Sequence, residues 1–347
     1  MPLSSVMMQG ADGGRQAFEV ERTGRTFGLL ATLWLLLVVQ TTHAGDVNPA
    51  AAVENQLHRM MQALRSLNYS GIFVYLHGSQ LESLEITHSV REGRELERLV
   101  SLNGTAREVR RNQQAVTCVM PDARAVSVDQ RAPAQGLWPD LDLNRLQGQY
   151  SLRQLGEFRV SGRDTSVVGI IPRDKFRYGY RFYLDQESGL PLKTDLMDED
   201  AQPLEQIMFT SLTLDFDTAV NRDEALERTG FRTLVRNAPL AQAPDRPANW
   251  EFHGLPAGFT LQVHNHWPDE SGRLVEHFVL SDGLASVSVY VEEGPSDGLQ
   301  AGAHVGAVNA WGGTVAGKQV TAVGEVPENT VRKVVESMRY LAQEAGQ

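Results

Sequence analysis

The chain has 347 residues, 41% of them hydrophobic, and a formal net charge of -11 with a pI near 5.3. That length suits two domains behind a leader, the apolar share is that of a soluble protein with a true core, and the acidic balance excludes nucleic acid as a general partner. A single cysteine, Cys118, excludes an internal disulfide, so packing alone must hold the fold.

Arg15, Arg22 and Arg25 precede an apolar run, FGLLATLWLLLVV, from Phe27 to Val39. The run is too short for a membrane span and suits the core of an export signal. Thr42 and Ala44 stand at the -3 and -1 positions of a cleavage site. Residues 1–44 therefore read as a signal peptide, and the absence of a cysteine at the cut excludes a lipoprotein.

From Pro49 to Leu67, Val53, Leu57, Met60, Leu64 and Leu67 recur at helical spacing, and Gly71 stops the pattern. Short alternating segments follow: GIFVYLHG, LESLEITHSV, ELERLVSL, AREVRRN, QAVTCVM, RAVSVD, then QYSLRQLG, EFRVSGRD, TSVVGIIP, YGYRFYLD and a meander beyond. Residues 46–217 thus read as one large antiparallel sheet with at least one helix, an α+β and β-rich domain. Val116, Cys118 and Met120 share a strand face, which makes Cys118 a small buried hydrophobe.

Within LVSLNGTAREVRRN, Asn103-Gly104 predicts a type I′ hairpin turn. Alternation puts Arg107 and Arg111 on one face and Arg110 on the other. Two readings stay open. The arginines are a solvated face paired with Glu95 and Glu97, or Arg107, Arg110 and Arg111 form a cationic rim for an acidic peptide or a phosphorylated lipid head.

Residues 218–249 lose the alternation and carry charges, Pro244 and Pro247, as an interdomain linker with one short helix would. Residues 250–343 read as a smaller α+β domain. Its strands are FTLQVHNHW, LVEHFVLSDG, LASVSVYVEEG, AVNAWGG and KQVTAVGEVP. A final helix, Glu328 to Leu341, turns Val331, Val334, Val335, Met338 and Leu341 inward.

Chemistry-bearing motifs are few. GGTVAGKQ, Gly312–Gln319, approaches a phosphate-binding loop, but Gln319 stands where Ser or Thr must hold magnesium and a strand follows instead of a helix. It reads as a glycine-rich hairpin. His264 and His266 share a face and His277 lies on the next strand, yet no carboxylate or cysteine completes a zinc set. They read as hairpin-end histidines able to tune a contact with pH. No G-x-S-x-G, H-E-x-x-H or paired-cysteine motif occurs. A binding protein is expected, with no catalytic residue, cofactor or metal.

The strings RMMQALRSLNYSGIFVYLHGSQLES, RELERLVSLNGTAREVRRN, VTCVMPD, HFVLSDGLASVSVYVEE and VTAVGEVPENTV resemble the MucB/RseB family, periplasmic negative regulators of the envelope-stress sigma factor. The likeness covers nearly the whole chain after the leader, with one departure at Val119, where an aromatic is expected. It implies an unclosed antiparallel β-barrel over helices, similar to the lipoprotein carriers LolA and LolB, as a lipid-sensing domain, followed by a smaller partner-binding domain. It also implies a periplasmic protein that binds the periplasmic region of a MucA- or RseA-type anti-sigma factor and blocks site-1 proteolysis. Lipopolysaccharide or mislocalised lipoprotein would release that partner.

Alternating apolar faces then nominate Phe73, Tyr75, Leu84, Ile86, Tyr180, Phe182, Leu184, Met208 and Leu212 for a lipid cavity, with the three arginines at its rim. Trp250, Phe252, His264, His266, Trp267 and Tyr290 are the candidate partner surface, because aromatic residues often anchor interfaces. Self-association is open. The rival reading is a lipid or lipoprotein carrier without a signalling role, which needs only the first domain.

Overall fold

The computed structural model describes residues 49–129, 138–139, 141–215, 231–236, 249–269, 271–293 and 298–341. The predicted leader lies outside the described residues.

Helix α1, Pro49–Ser66, carries the expected apolar seam, with Val53, Leu57 and Met60 wholly buried. The seam needs a cover, and a twelve-stranded sheet supplies it. The strands are β1 (Tyr69–His77), β2 (Gln80–Arg91), β3 (Arg94–Ser101), β4 (Glu108–Asn112), β5 (Val116–Met120), β6 (Ala125–Asp129), β7 (Tyr150–Val160), β8 (Arg163–Pro172), β9 (Gly179–Asp185), β10 (Pro191–Met197), β11 (Pro203–Leu214) and β12 (Arg232–Arg236). A single turn, α2 (Leu143–Leu146), precedes β7. The order is β12-β6-β5-β4-β3-β2-β1-β11-β10-β9-β8-β7. The end strands β12 and β7 do not pair, so the barrel is unclosed, as expected. Val168, Ile170, Phe182 and Leu184 meet α1 in one apolar cluster.

Three local expectations change. The linker reading of 218–249 omits β12, which pairs parallel to β6. Asn103 does not take the left-handed conformation that a type I′ turn needs, although Gly104 does. Asn103 instead spends its amide on β2, accepting from Ser83 N at 2.7 Å and donating to Leu81 O at 3.0 Å, which widens the loop before β4. In β5 it is Val119 that is buried, while Cys118 is half-buried.

The second domain holds a six-stranded antiparallel sheet ordered β14-β15-β16-β19-β18-β17. After β13 (Trp250–Phe252) its strands are β14 (Thr260–Pro268), β15 (Leu274–Ser281), β16 (Ser286–Glu292), β17 (Gly302–Val305), β18 (Val308–Val315) and β19 (Lys318–Gly324). Helix α3, Glu328–Ser337, packs Val331, Val334 and Val335 onto Phe278, Val289, Val291 and Ala322. It stops four residues short of the expected Leu341. Met338–Tyr340 becomes β20, paired with β13, and Leu341 is exposed. The backbone partner offered by β13 outcompetes another helical turn.

The glycine-rich string is indeed a hairpin. Ala316 and Gly317 both take positive φ between the paired Val315 and Lys318. Gly312 has a steric reason as well, since a Cβ there would lie 1.9 Å from the Leu299 carbonyl oxygen. Gly312→Ala is therefore expected to cost about 1–3 kcal/mol through overpacking, read from the urea midpoint, whereas Gly317→Ala meets no neighbour and pays only for its positive φ.

Candidate functional site: a cavity between the two sheets

The concave face of the large sheet is not filled by α1. A cavity of about 1230 Å³ remains, bounded by Met61 and Leu64 of α1, by Tyr69, Tyr75, Leu99, Leu196 and Ile207 of the sheet, and by Gly283, Leu284 and Glu325 of the small domain. That volume exceeds the usual range for a small-ligand pocket, roughly 300–1,000 Å³. Both domains form its walls.

The junction beside the cavity is built on one buried ion pair. Arg177, just before β9, and Asp282, in the β15–β16 turn, each have no exposed side-chain surface and meet at 2.5 Å. Arg177 also binds both oxygens of Asp174 at 3.0 Å and the Ala257 carbonyl. Its guanidinium lies over the rings of Tyr150 and Phe259, and the Tyr150 hydroxyl donates to Asp282. Arg145 of α2 adds hydrogen bonds to Thr260 Oγ1 and the Ser281 carbonyl.

Of the nine nominated cavity residues, Tyr75 and Tyr180 line the space. Phe73, Leu84, Ile86, Phe182 and Leu184 lie on the concave face but are buried in the core behind the lining, and Leu212 packs against the same core. Met208 is misassigned. Ile72 pairs with Ser211 but Phe73 pairs with Phe209, so β11 carries an extra residue there. This bulge reverses the side-chain alternation, and Met208 sits opposite Lys193, 36% exposed on the outer face.

The three arginines do not form a rim. Arg107 is exposed and pairs with Glu82 at 3.2 Å. Arg110 pairs with Glu108, which also holds Arg98, on the outer face. Arg111 alone reaches the cavity, in a nearly buried pair with Glu97 at 3.0 Å. Burial pushes the Glu97 carboxyl up, and Arg111 opposes the shift. Arg111 Nε and Trp138 Nε1 remain buried without a hydrogen-bond partner. Arg107→Glu is expected to change stability by less than about 1 kcal/mol. Arg111→Gln strands the Glu97 carboxylate and is expected to cost about 1–3 kcal/mol. Chemical unfolding of the two variants side by side checks the contrast.

The six nominated partner residues divide as well. Trp250 is core, and Phe252 packs against it. Trp250 Nε1 and His264 Nε2 both contact Glu276, at 3.1 Å each, and the His264 ring stacks on Phe278. These are supports on the helix-covered side. His266 is exposed. Trp267 and Tyr290 lie on the opposite face around His277, whose ring stacks on Tyr290 at 4.6 Å. Burial pushes the His277 imidazole down, which favours its neutral form. Among the described residues no three His, Cys, Asp or Glu side chains gather as a metal site.

Sequence reasoning missed Arg177, Asp282, Glu205 and Glu325. Only the Ser-Asp-Gly turn signal at 281–283 hinted at Asp282, and it gave no partner.

Comparison with known proteins places this geometry. The MucB/RseB N-terminal domain model matches residues 52–229 and the MucB/RseB C-terminal domain model matches residues 244–339. The sigma factor AlgU regulatory protein MucB of Pseudomonas aeruginosa is 34% identical, over 91% of this chain and 98% of that protein. The sigma-E factor regulatory protein RseB of Escherichia coli is 26% identical, over 82% and 89%. In the solved complex of Pseudomonas aeruginosa MucA and MucB, the matching chain is 32% identical with a TM-score of 0.68, over 84% of this chain and 99% of that one. A solved MucB in complex with the MucA periplasmic region gives 29% identity and a TM-score of 0.66. With both domains matched in order and a relative more than 30% identical aligned along nearly its full length, this chain belongs to the MucB/RseB family of sigma factor regulatory proteins.

Proposed function

We propose that this chain is a periplasmic regulator that binds the periplasmic segment of a MucA- or RseA-type anti-sigma factor, shields it from the site-1 protease and releases it when an amphiphile enters the cavity. The observation that carries this reading is the extent of the likeness to MucB solved with MucA, which runs through both domains and 99% of that chain. In this reading residues 1–44 are removed on export, 46–217 sense lipid and 250–343 bind the partner. Trp267 and Tyr290 are the reachable part of the partner surface, Trp250, Phe252 and His264 hold it from behind, and His266 is exposed on the other face of the sheet.

The cavity supports the lipid half physically. Its walls combine apolar side chains, among them Met61, Leu64, Leu99 and Leu284, with charged ones, and both domains contribute to them. An occupant that prefers one domain arrangement shifts the population toward it. A near-complete switch from bound to released needs a differential affinity of about 5.5 kcal/mol, within reach of burying one long acyl chain at ~0.8 kcal/mol per CH₂.

The test is digestion of a MucA-type periplasmic segment by its site-1 protease, alone, with the purified chain, and with the chain plus lipopolysaccharide fragments. Protection by the chain that the fragments abolish is the expected result. Cleavage at an unchanged rate in the presence of saturating chain overturns the reading.

A further inference from the structure

The two large sheets end in four edge strands, β12 and β7 in the first and β14 and β17 in the second. An edge strand presents a row of unpaired backbone N–H and C=O groups, and proteins blunt it with charge, a bulge or short length. Three of these edges are blunted. β12 has five residues, two of them arginine. β17 has four residues. β7 carries Arg153, Glu157 and Arg159, and a bulge between Gln154 and Gly156. β14 is different. It runs nine residues, TLQVHNHWP, without a Lys, Arg, Asp or Glu, and its proline is its last residue. Its irregularity falls between Leu261 and Val263, and from Val263 to Pro268 the pairing with β15 is continuous. Leu261 and Val263 are 46% and 38% exposed. In a chain of net charge -11, an uncharged edge of this length is an open template for one more strand.

The surroundings of β14 narrow the choice of occupant. Near its start Gln262 lines the cavity, and Thr260 Oγ1 accepts from Arg145, which lines it too. A strand laid along β14 therefore reaches the cavity rim. Helix α2, which carries Arg145, stands beside that end, so one extended thread fits there better than a second folded copy. Toward the other end Val263 and Trp267 share the face away from α3. There Trp267 meets the His277 ring edge-on at 5.8 Å, and His277 stacks on Tyr290. Alternate side chains of an added strand fall on that same face.

We propose that β14 receives an extended segment of the anti-sigma partner as a seventh strand, with backbone hydrogen bonds along Val263–Trp267 and alternate apolar side chains beside Val263 and Trp267. This rests on the chain being an anti-sigma binder, and it goes further by giving the partner's place and backbone form. In strand addition the main-chain hydrogen bonds supply affinity, and alternate side chains supply specificity. The arrangement also gives the cavity a direct route to the partner, since an occupant that reaches Gln262 contests the end of the added strand.

The test pairs amide hydrogen exchange of the purified chain, alone and saturated with a MucA-type periplasmic segment, with anisotropy titrations of the labelled segment against Asn265→Lys and Asn265→Pro. Lysine is the charge that natural edges use to refuse a strand, and proline removes an N–H from the middle of the edge. Amides from Val263 to Trp267 that face away from β15 are expected to exchange at least tenfold more slowly in the complex. Both variants are expected to bind the segment at least tenfold more weakly with an unchanged thermal midpoint. Where Asn265→Pro lowers the midpoint, Asn265→Lys alone decides. Unchanged exchange along β14 in the complex, or parent-like affinity in Asn265→Lys, overturns the strand site and leaves the regulator reading standing. A dimer of the chain alone in sedimentation, dissociated by Asn265→Lys, makes a second copy the occupant and overturns the strand site as well. A parent chain that does not bind the segment overturns the regulator reading and the strand site together.

Discussion

Arg177→Ala is expected to lower the stability of the chain by about 3–5 kcal/mol, the range for removing one partner of a buried ion pair. The loss comes less from the missing attraction than from what stays behind. Asp282 is left with no exposed surface and no counter-charge, and the Asp174 carboxylate and Ala257 carbonyl lose the guanidinium donors. Asp282 also fixes its own turn by accepting from the backbone N–H groups of Leu284 and Ala285. That turn carries Gly283 and Leu284 to the cavity wall, so the variant should loosen the wall as well as the junction. Urea unfolding followed by circular dichroism should show a single transition for the parent and two for the variant as the sheets uncouple. The pair Arg177→Met with Asp282→Leu should recover much of the loss, because an apolar pair leaves no stranded charge. A loss below about 1 kcal/mol in Arg177→Ala would mean that the junction is held elsewhere.

Phe182→Ala is expected to cost about 3–5 kcal/mol, as deletion of a wholly buried ring does. Phe182 has no exposed surface, stacks on Tyr180 at 5.6 Å between ring centres, and packs into the cluster that holds Val53, Leu57 and Met60 of α1. Its role is to support the lining rather than to form it. Met208→Ala should stay within roughly 0.5 kcal/mol, as for a surface position without special contacts. Thermal unfolding of the two variants distinguishes core from exterior at two positions that alternation alone puts together.

The fold was largely legible because its signals are local and periodic. The seam of α1 repeats Val53, Leu57 and Met60 at helical spacing, and the strands alternate over lengths that leave little ambiguity. What escaped is what depends on distant partners. One extra residue in β11 reversed the face of Met208, and no single-strand pattern announces such an insertion. Asn103-Gly104 is a sound hairpin signal, but the amide of Asn103 found better partners on β2. The helix expected to reach Leu341 lost its last turn to β13, a strand nearly 90 residues upstream. The arginines looked alike in sequence, and pairing across the sheet gave each a different carboxylate: Glu82, Glu108 and Glu97. Arg177, Asp282, Glu205 and Glu325 stand in unrelated segments, so only the folded chain shows that the first two pair at the junction and the last two line the cavity.

The central claim is that one chain couples an amphiphile cavity to an anti-sigma partner. It is tested most directly by fluorescence anisotropy of a labelled MucA-type periplasmic segment titrated with the purified chain, with and without lipopolysaccharide fragments. The account predicts saturable binding that the fragments reverse. Absence of segment binding, with lipid recovered from the purified chain, would contradict it and leave a carrier.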